Sequence, residues 1–203
     1  IRSGREIGRI ALGSFMRERF GAPYWVVHRA DLQTVLLDAV RSLPTIRMIM
    51  GRTVDSIADE PDRASLVMTS GNGTREGLEA DGIIGADGVW SKIRQALGDT
   101  AAPTFRNAIA WRTTVDRLAA PAALAGNETG LWLGSRGHVV HYPIAGGAKI
   151  NIVAIEKSAS PVEGWATPGD RNAILAHYGF AAPVLRALLS TATEWLRWSL
   201  FDH

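Results

Sequence analysis

Apolar and polar positions divide the 203-residue chain into two parts that meet near residue 103. In the first part, one long stretch with helical periodicity lies among short apolar runs with strand character. In the second part, short strand-like runs separated by glycine-containing turns precede two further helical stretches. The pattern predicts a mixed α/β (α+β) fold, in which an α/β region is followed by an antiparallel sheet with helices.

The strongest helical pattern lies in the sequence HRADLQTVLLDAVRSLP, which covers residues 28–44. Asp31 is a suitable N-cap, and Pro44 marks the end because proline cannot continue a helix. The apolar residues recur three or four positions apart, as one face of a helix requires; they are Leu32, Val35, Leu36, Ala39, Val40 and Leu43.

Short apolar runs in the first part predict strands over residues 24–27, 45–50, 53–58, 64–69 and 83–86. The last run, Ile-Ile-Gly-Ala, is typical of a buried strand. Asp87-Gly88 ends this run, and a helix over 91–97 follows, with Gly98 as its C′ residue. Residues 7–20 are interpreted as a strand followed by an irregular loop.

The second part predicts four strands that form an antiparallel meander, over 108–115, 130–133, 138–143 and 150–155. The turns GSRG (134–137) and AGGA (145–148) have hairpin lengths. Two helices over 171–178 and 183–189 follow, with Asp170 as the N-cap of the first. Residues 195–200 alternate as a closing strand.

Composition restricts the possible functions. The 22 Lys and Arg residues nearly balance 20 Asp and Glu residues and are scattered, which does not favour nucleic-acid binding. The absence of cysteine excludes disulfides and thiolate chemistry and fits a reducing cytoplasm. No apolar run approaches the ~20 residues of a membrane-spanning helix. We therefore expect a cytoplasmic protein without a membrane or nucleic-acid partner.

The turn GADGVWSKIR, residues 85–94, is the first candidate site. A carboxylate at the end of a buried strand, with Gly88 after it, allows a ligand's sugar or phosphate to approach the backbone at Asp87. Arg94 could pair with Asp87 or with an anionic ligand. A plain strand-to-helix turn explains the same residues equally well.

Two further places carry candidate chemistry. Arg29 stands beside His28 at the start of the long helix, where the helix dipole disfavours a cation, so a phosphate ligand is one explanation and simple solvation is the other. On the predicted strand over 138–143, His138 and Tyr142 share one face and could contact a ligand of phenol size. A half-buried strand with a structural tyrosine is the alternative, and residue type alone favours it.

Three motifs occur together and in order: VHRADLQTVLLDAV, GADGVWSKIRQAL, and HVVHYPI followed by INIVA. In this combination the chain resembles the FAD-dependent aromatic-ring monooxygenases, in particular the salicylate hydroxylase and 3-hydroxybenzoate 6-hydroxylase branch. The similarity extends over nearly the whole chain, to EGW, GD and RWSLFDH near its end. It implies a flavoprotein that uses FAD, NAD(P)H as co-substrate and O2 to hydroxylate a small phenolic or aromatic acid.

The resemblance also assigns roles to residues. It implies that Arg29 contacts FAD near the pyrophosphate and that Val54 lies against the adenosine end. Asp87, with Gly88, belongs to an Asp-Gly motif that serves both FAD and the nicotinamide donor. His138 and Tyr142 match the pair that lines the substrate pocket. The histidine helps to deprotonate the substrate phenol, which makes the ring more electron-rich.

The implied domains are part of the FAD-binding domain over 26–103 and a substrate-binding domain built from 1–25 and 104–203. The G-x-G-x-x-G fingerprint that opens such proteins does not occur in this sequence, and the second Gly-Asp motif of the family is expected shortly after the point where this chain stops. We therefore expect an internal piece of a flavoprotein about twice as long, inactive alone and with weak or absent FAD binding. The alternatives are a flavin epoxidase or halogenase-like enzyme for bulkier substrates, and a non-catalytic remnant that binds an aromatic ligand or a partner chain.

Overall fold

A computed structural model describes residues 1–203, and the chain forms two compact units. The larger unit consists of residues 1–39 and 107–200, and the smaller unit consists of residues 40–106 and 201–203. The helices are α1 (Gly13–Phe20), α2 (Arg29–Arg41), α3 (Lys92–Ala96), α4 (Arg171–His177) and α5 (Pro183–Thr191). The strands are β1 (Arg52–Glu60), β2 (Arg63–Ser70), β3 (Arg75–Ala80), β4 (Thr104–Asp116), β5 (Gly130–Gly134), β6 (Gly137–Ile144), β7 (Lys149–Lys157), β8 (Thr167–Gly169) and β9 (Trp195–Asp202).

The sheet of the larger unit has six strands in the order β5-β6-β7-β4-β9-β8. One face is buried and forms the core with α4 and α5; its fully buried side chains include Val139, Ile150, Ile152, Ile174, Leu185, Leu188 and Leu189. The α5 sequence PVLRALLST places three leucines on one side, and Pro183 suits its first turn. This packing leaves the other face of the sheet open.

The four strands predicted for the second part are present, and β5, β6 and β7 form a meander as expected. The predicted order is wrong for β4, which pairs with β7 and not with β5. The reason is the connection between β4 and β5, which contains two 3-10 turns and is too long for a hairpin. Residues 167–169 form an additional edge strand before the N-cap Asp170, whose side chain accepts a hydrogen bond from the Asn172 N–H.

The smaller unit contains a three-stranded antiparallel sheet in the order β1-β2-β3. A bulge in β1 between Val54 and Ser56 shifts the register, so that Val54 and Ile57 are the two partly buried positions of that strand. Helix α3 begins after the N-cap Ser91. Phe201 packs against Trp90 and Phe105, with ring centroids 5.2 and 5.6 Å apart.

Four predicted strands are absent, and one of them is the strand expected at the start of residues 7–20, where no strand forms before α1. Residues 24–27, 45–50 and 83–86 are irregular, and several of their apolar side chains are exposed, including Trp25 at 80%, Met50 at 74% and Ile84 at 94%. A strand requires hydrogen bonds to a neighbouring strand, and none of these segments pairs with one in this chain. Local composition therefore predicted strands that lack a partner.

Helical boundaries also differ from the prediction. Residues 13–20, expected to be irregular, form α1, which Gly21 ends in a left-handed conformation with its N–H donating to the Arg17 carbonyl. Helix α2 begins at Arg29, so Asp31 lies in its first turn and is not the N-cap. None of the five helices combines the length and apolarity that a bilayer crossing requires.

Candidate functional site

The open face of the six-stranded sheet carries the polar side chains that alternate with the core positions. On β6, Val139 and His141 are buried on the core side, whereas Tyr142 belongs to the opposite set and is partly exposed. The register places Tyr142 opposite Asn151 of β7, which in turn lies opposite Thr114 of β4. These residues form one row across the open face.

A cavity of about 610 Å³ lies on this face, within the larger unit. Its volume is in the range of small-molecule sites, roughly 300–1,000 Å³. It is lined by parts of α2, β4, β6, β7 and β9, and its lining includes Val27, His28, Arg29, Arg112, Thr114, Asp116, Tyr142, Lys149, Asn151, Glu194 and Trp198. One cavity therefore contains a predicted cofactor contact, Arg29, and a predicted substrate contact, Tyr142.

The cavity has a positive electrostatic character. Lys149 is balanced by Asp116, at 3.5 Å between Nζ and Oδ1, whereas Arg29 and Arg112 have no such carboxylate partner. The guanidinium carbon of Arg112 lies 4.3 Å from the ring centroid of Trp198. Burial lowers the pKa of Arg112, and the nearby Arg29 cation lowers it further, while the Tyr142 phenol opposes both effects. Such a pair of cations suits an anionic ligand.

Arg29 reaches the cavity because it is the first residue of α2. The carbonyl of His28 accepts hydrogen bonds from the N–H groups of Asp31 and Leu32, which close the first turn. His28 Nδ1 lies 3.4 Å from the Asp31 carboxylate. His28 and Arg29 both line the cavity, so the start of α2 adjoins it, a location that suits an anionic group such as a phosphate.

His138 is on the same face of β6 as Tyr142 but does not line the cavity. The two residues are four positions apart, which corresponds to about 13 Å along a strand. His138 pairs in register with Leu133 and Ile155, and its carbonyl accepts a hydrogen bond from the hydroxyl of the buried Tyr178 at 3.3 Å. The backbone at His138 is thus held by its strand neighbours and by Tyr178.

Asp87 and Gly88 lie in the smaller unit, at the turn before α3. The Asp87 carboxylate accepts hydrogen bonds from the Ser91 hydroxyl at 2.6 Å and from the Lys92 N–H at 2.7 Å, and the Ser91 bond is the main cause that lowers its pKa. Of the two partners considered for Arg94, Asp87 is not one that it contacts, because the Asp87 carboxylate caps the helix instead. Arg94 contributes its backbone N–H to the Ser91 hydroxyl, and one buried guanidinium nitrogen is unpartnered.

The backbone at Gly88 fits a close-lying ligand. Its φ is +79°, and a Cβ added there would meet no atom within 4 Å, so open space adjoins the Asp87 turn. Val54, the other predicted contact in this unit, is partly buried on β1 opposite Met68. The Asp87 carboxylate thus already has hydrogen-bond partners within the smaller unit, whereas the backbone at Gly88 adjoins open space.

Sequence reasoning missed Arg112 and Trp198. The run AWRTTV could have revealed Arg112. Side chains alternate along a strand, so Arg112, next to the core residue Trp111, must lie on the face opposite the core. Sequence reasoning also missed His141, which is 4% exposed and accepts a hydrogen bond from the Trp132 indole N–H at 3.1 Å. Burial lowers the pKa of His141, and the nearby Glu128 carboxylate opposes this shift.

The chain is similar to a known protein family and to several characterised proteins. Residues 12–179 match the family profile described as FAD binding domain. The chain is 31% identical over 201 residues to 3-hydroxybenzoate 6-hydroxylase of Polaromonas naphthalenivorans (strain CJ2), covering 98% of this chain and 49% of that protein. It is 32% identical to 3-amino-4-hydroxybenzoate 2-monooxygenase of Streptomyces cremeus, over 98% of this chain and 48% of that protein.

Among solved structures, a salicylate hydroxylase substrate complex is similar, with a TM-score of 0.69 and 26% sequence identity. The similarity covers 86% of this chain and 46% of that one. The chain thus spans about half the length of the curated relatives that it matches.

Proposed function

We propose that this chain, which belongs to the FAD binding domain family, is part of a flavin-dependent monooxygenase. The proposed enzyme hydroxylates a small phenolic or aromatic acid. The observation that carries this proposal is the shared cavity of Arg29 and Tyr142, about 610 Å³ in volume, on the open face of the sheet. FAD, when bound, supplies the redox chemistry with NAD(P)H and O2.

The cofactor contacts proposed for this chain are Arg29, Val54, Asp87, Gly88 and Arg94. Arg29 supplies a cation at a helix start that suits the pyrophosphate, and Gly88 supplies bare backbone for close approach. Asp87 acts first as the cap of α3, so its contribution to FAD or to the nicotinamide donor is to hold the turn in shape. By this proposal, residues 26–103 contribute to FAD binding, and residues 1–25 and 104–203 bind the substrate.

The substrate lies against the open face in this proposal. Tyr142 donates or accepts a hydrogen bond at the ligand, and His138 takes the proton from the substrate phenol. Because the two side chains are separated along β6, they contact the ligand from different directions. Val140 and Val153 do not line the cavity, but they follow its wall residue Arg112 across the same face of the sheet and would form an apolar surface under the ring.

The test uses the protein expressed from its complete coding sequence. Hydroxybenzoates should stimulate NAD(P)H oxidation and yield a product with one additional hydroxyl group. His138→Ala should lower turnover or uncouple it about 10²-fold or more without loss of flavin, as expected for a proton-transfer group. The control is His177→Gln, which changes a histidine on α4, on the core side of the sheet.

Three results would contradict the proposal. Turnover of bulky polyketides or indoles without turnover of hydroxybenzoates would favour an epoxidase or halogenase-like enzyme. A protein that binds aromatic ligands but never oxidises NAD(P)H would favour a non-catalytic binding module. An unchanged rate and coupling in His138→Ala would remove His138 from the reaction.

A further inference from the structure

Arg112 is a cation on the open face that the mechanism above leaves without a role. Its side chain is exposed to the cavity, and none of the ion pairs of the chain includes it. The two acids in the cavity lining are Asp116, which pairs with Lys149, and Glu194. A guanidinium without a carboxylate partner, at the wall of a site that already contains Arg29, is a place where an anionic ligand group would be stabilised.

The guanidinium is also held in position. It stacks over the Trp198 ring at 4.3 Å, and Trp198 itself lines the cavity from β9. Stacking fixes the plane of an arginine while it leaves the N–H groups at the edge free to donate. A carboxylate is the planar acceptor that such a fork binds with two parallel hydrogen bonds.

The strand register places Arg112 relative to the predicted substrate contacts. Arg112 lies opposite Val153 of β7, which lies opposite Val140 of β6, and Val140 is midway between His138 and Tyr142. Two strand spacings lie between Arg112 on β4 and strand β6, a backbone distance of about 10 Å. A ring that lies over the two valines therefore extends from Arg112 toward the gap between His138 and Tyr142.

We propose that Arg112 anchors the carboxylate of the aromatic acid, so that the phenolic hydroxyl is directed toward His138 and Tyr142. This assignment rests on the function proposed above. Within that function, it names Arg112 as the residue that selects substrates with a carboxylate group. It makes Arg112 a substrate-binding residue that distinguishes a benzoate from an uncharged analogue. Arg29 and Lys149 are less suited, because Arg29 serves the cofactor in the proposal and Lys149 already pairs with Asp116.

The experiment measures binding and turnover separately in the protein expressed from its complete coding sequence. Equilibrium dialysis compares 3-hydroxybenzoate with 3-hydroxybenzamide, which has the same shape without the charge. Arg112→Gln should weaken binding of the acid about 10- to 100-fold, the range expected when a charge-assisted hydrogen bond is lost, and binding of the amide less than about threefold. Arg112→Lys should fall between, since it keeps the charge but loses the planar fork.

The control variant is Arg136→Gln. Arg136 also stacks on an aromatic ring, at 5.1 Å from the Phe180 centroid, but it is not part of the cavity. It should leave the binding of both ligands unchanged. Thermal unfolding and flavin content of each variant establish that Arg112→Gln is folded and loaded.

The outcomes separate the two proposals. If Arg112→Gln binds the acid as tightly as the wild type, or loses the acid and the amide equally, the carboxylate anchor is wrong, whether or not hydroxylation is normal. If Arg112→Gln loses flavin and keeps the acid, Arg112 serves the cofactor and the anchor is again wrong. If acid binding depends on Arg112 but no hydroxylated product forms, the anchor stands and the proposed reaction fails. A wild type that binds neither ligand contradicts both.

Discussion

The two units differ in how much of their apolar surface they bury. In the larger unit, residues 107–200 supply all members of the main hydrophobic core, from Ile109 to Trp195. In the smaller unit, only Ala64 and Met68 are buried apolar residues, whereas Ile84, Met50 and Leu97 are more than 70% exposed. Both units contain regular elements, so secondary structure forms in each, but only one has a core that stabilises it.

Residues 1–39 behave like the smaller unit although they belong to the larger one. Helices α1 and α2 bury no residue, and Leu32, Val35 and Leu36 of the α2 stripe remain exposed. An amphipathic pattern therefore specifies the apolar face of a helix even where no other part of the chain buries that face. The differences between these regions can be tested with matched substitutions.

The largest expected difference in stability is between two isoleucine-to-alanine substitutions, one in the core of the larger unit and one on the surface of the smaller unit. Ile152 of β7 is fully buried, and Ile152→Ala should lower the free energy of unfolding by about 2–5 kcal/mol, since it leaves a cavity in the core. Ile84 is 94% exposed, and Ile84→Ala should change it by less than about 0.5 kcal/mol. Urea unfolding of the chain followed by circular dichroism measures both. Similar costs at the two positions would mean that residues 83–86 are buried.

Two strand glycines give the next comparison. A Cβ at Gly130 of β5 would overlap the His141 imidazole, so Gly130→Ala should cost about 1–3 kcal/mol through overpacking. A Cβ at Gly77 of β3 would meet no atom within 4 Å, and Gly77→Ala should be neutral or slightly stabilising. The same unfolding measurement applies. Adding His141→Ala to Gly130→Ala should relieve the overlap, and a purely additive double variant would refute this cause.

Removing the helix cap of one unit should accelerate amide hydrogen exchange only in the helix that it caps. Ser91→Ala removes the hydroxyl that accepts from the Arg94 N–H and donates to Asp87, at a cost of about 1 kcal/mol to α3. Hydrogen exchange of the amides at 92–97 should accelerate about fivefold as a result. Asp170→Ala, which removes the cap of α4, should leave these amides unchanged. Unaltered exchange in Ser91→Ala would show that the cap does not hold the turn.

The smallest expected effect is a pH dependence in the larger unit. Burial lowers the pKa of His141, and nearby Glu128 opposes the shift only partly. Since the unfolded histidine titrates near pH ~6.5, the unfolded state binds more protons below this pH, and stability falls as pH decreases from there toward the folded pKa. Protonation at Nδ1 would also break the hydrogen bond from Trp132. Unfolding at pH 7.5 and 5.5 should show a smaller loss in His141→Gln than in the wild type, and an equal loss would contradict the assignment.

The sequence predicted the site unevenly. Alternation alone was sufficient to put His138 and Tyr142 on one face of β6, because side-chain direction in a strand is a local property. It could not show that only Tyr142 reaches the cavity, since that depends on α2 and β9, which are distant in sequence. Arg112 was missed for the same reason: its stacking on Trp198 joins residues 86 positions apart, the difference between 198 and 112.

Helix α2 and all elements of the second part except the short edge strand β8 were determined by the sequence, because periodic apolar positions and glycine turns specify them locally. Tertiary structure decided which strands exist at all in residues 24–27, 45–50 and 83–86, since a strand needs a hydrogen-bonded neighbour. It also moved β4 beside β7 and used Asp87 as a helix cap. Local patterns fix which way a side chain faces, whereas its partners depend on chain segments brought together only by folding.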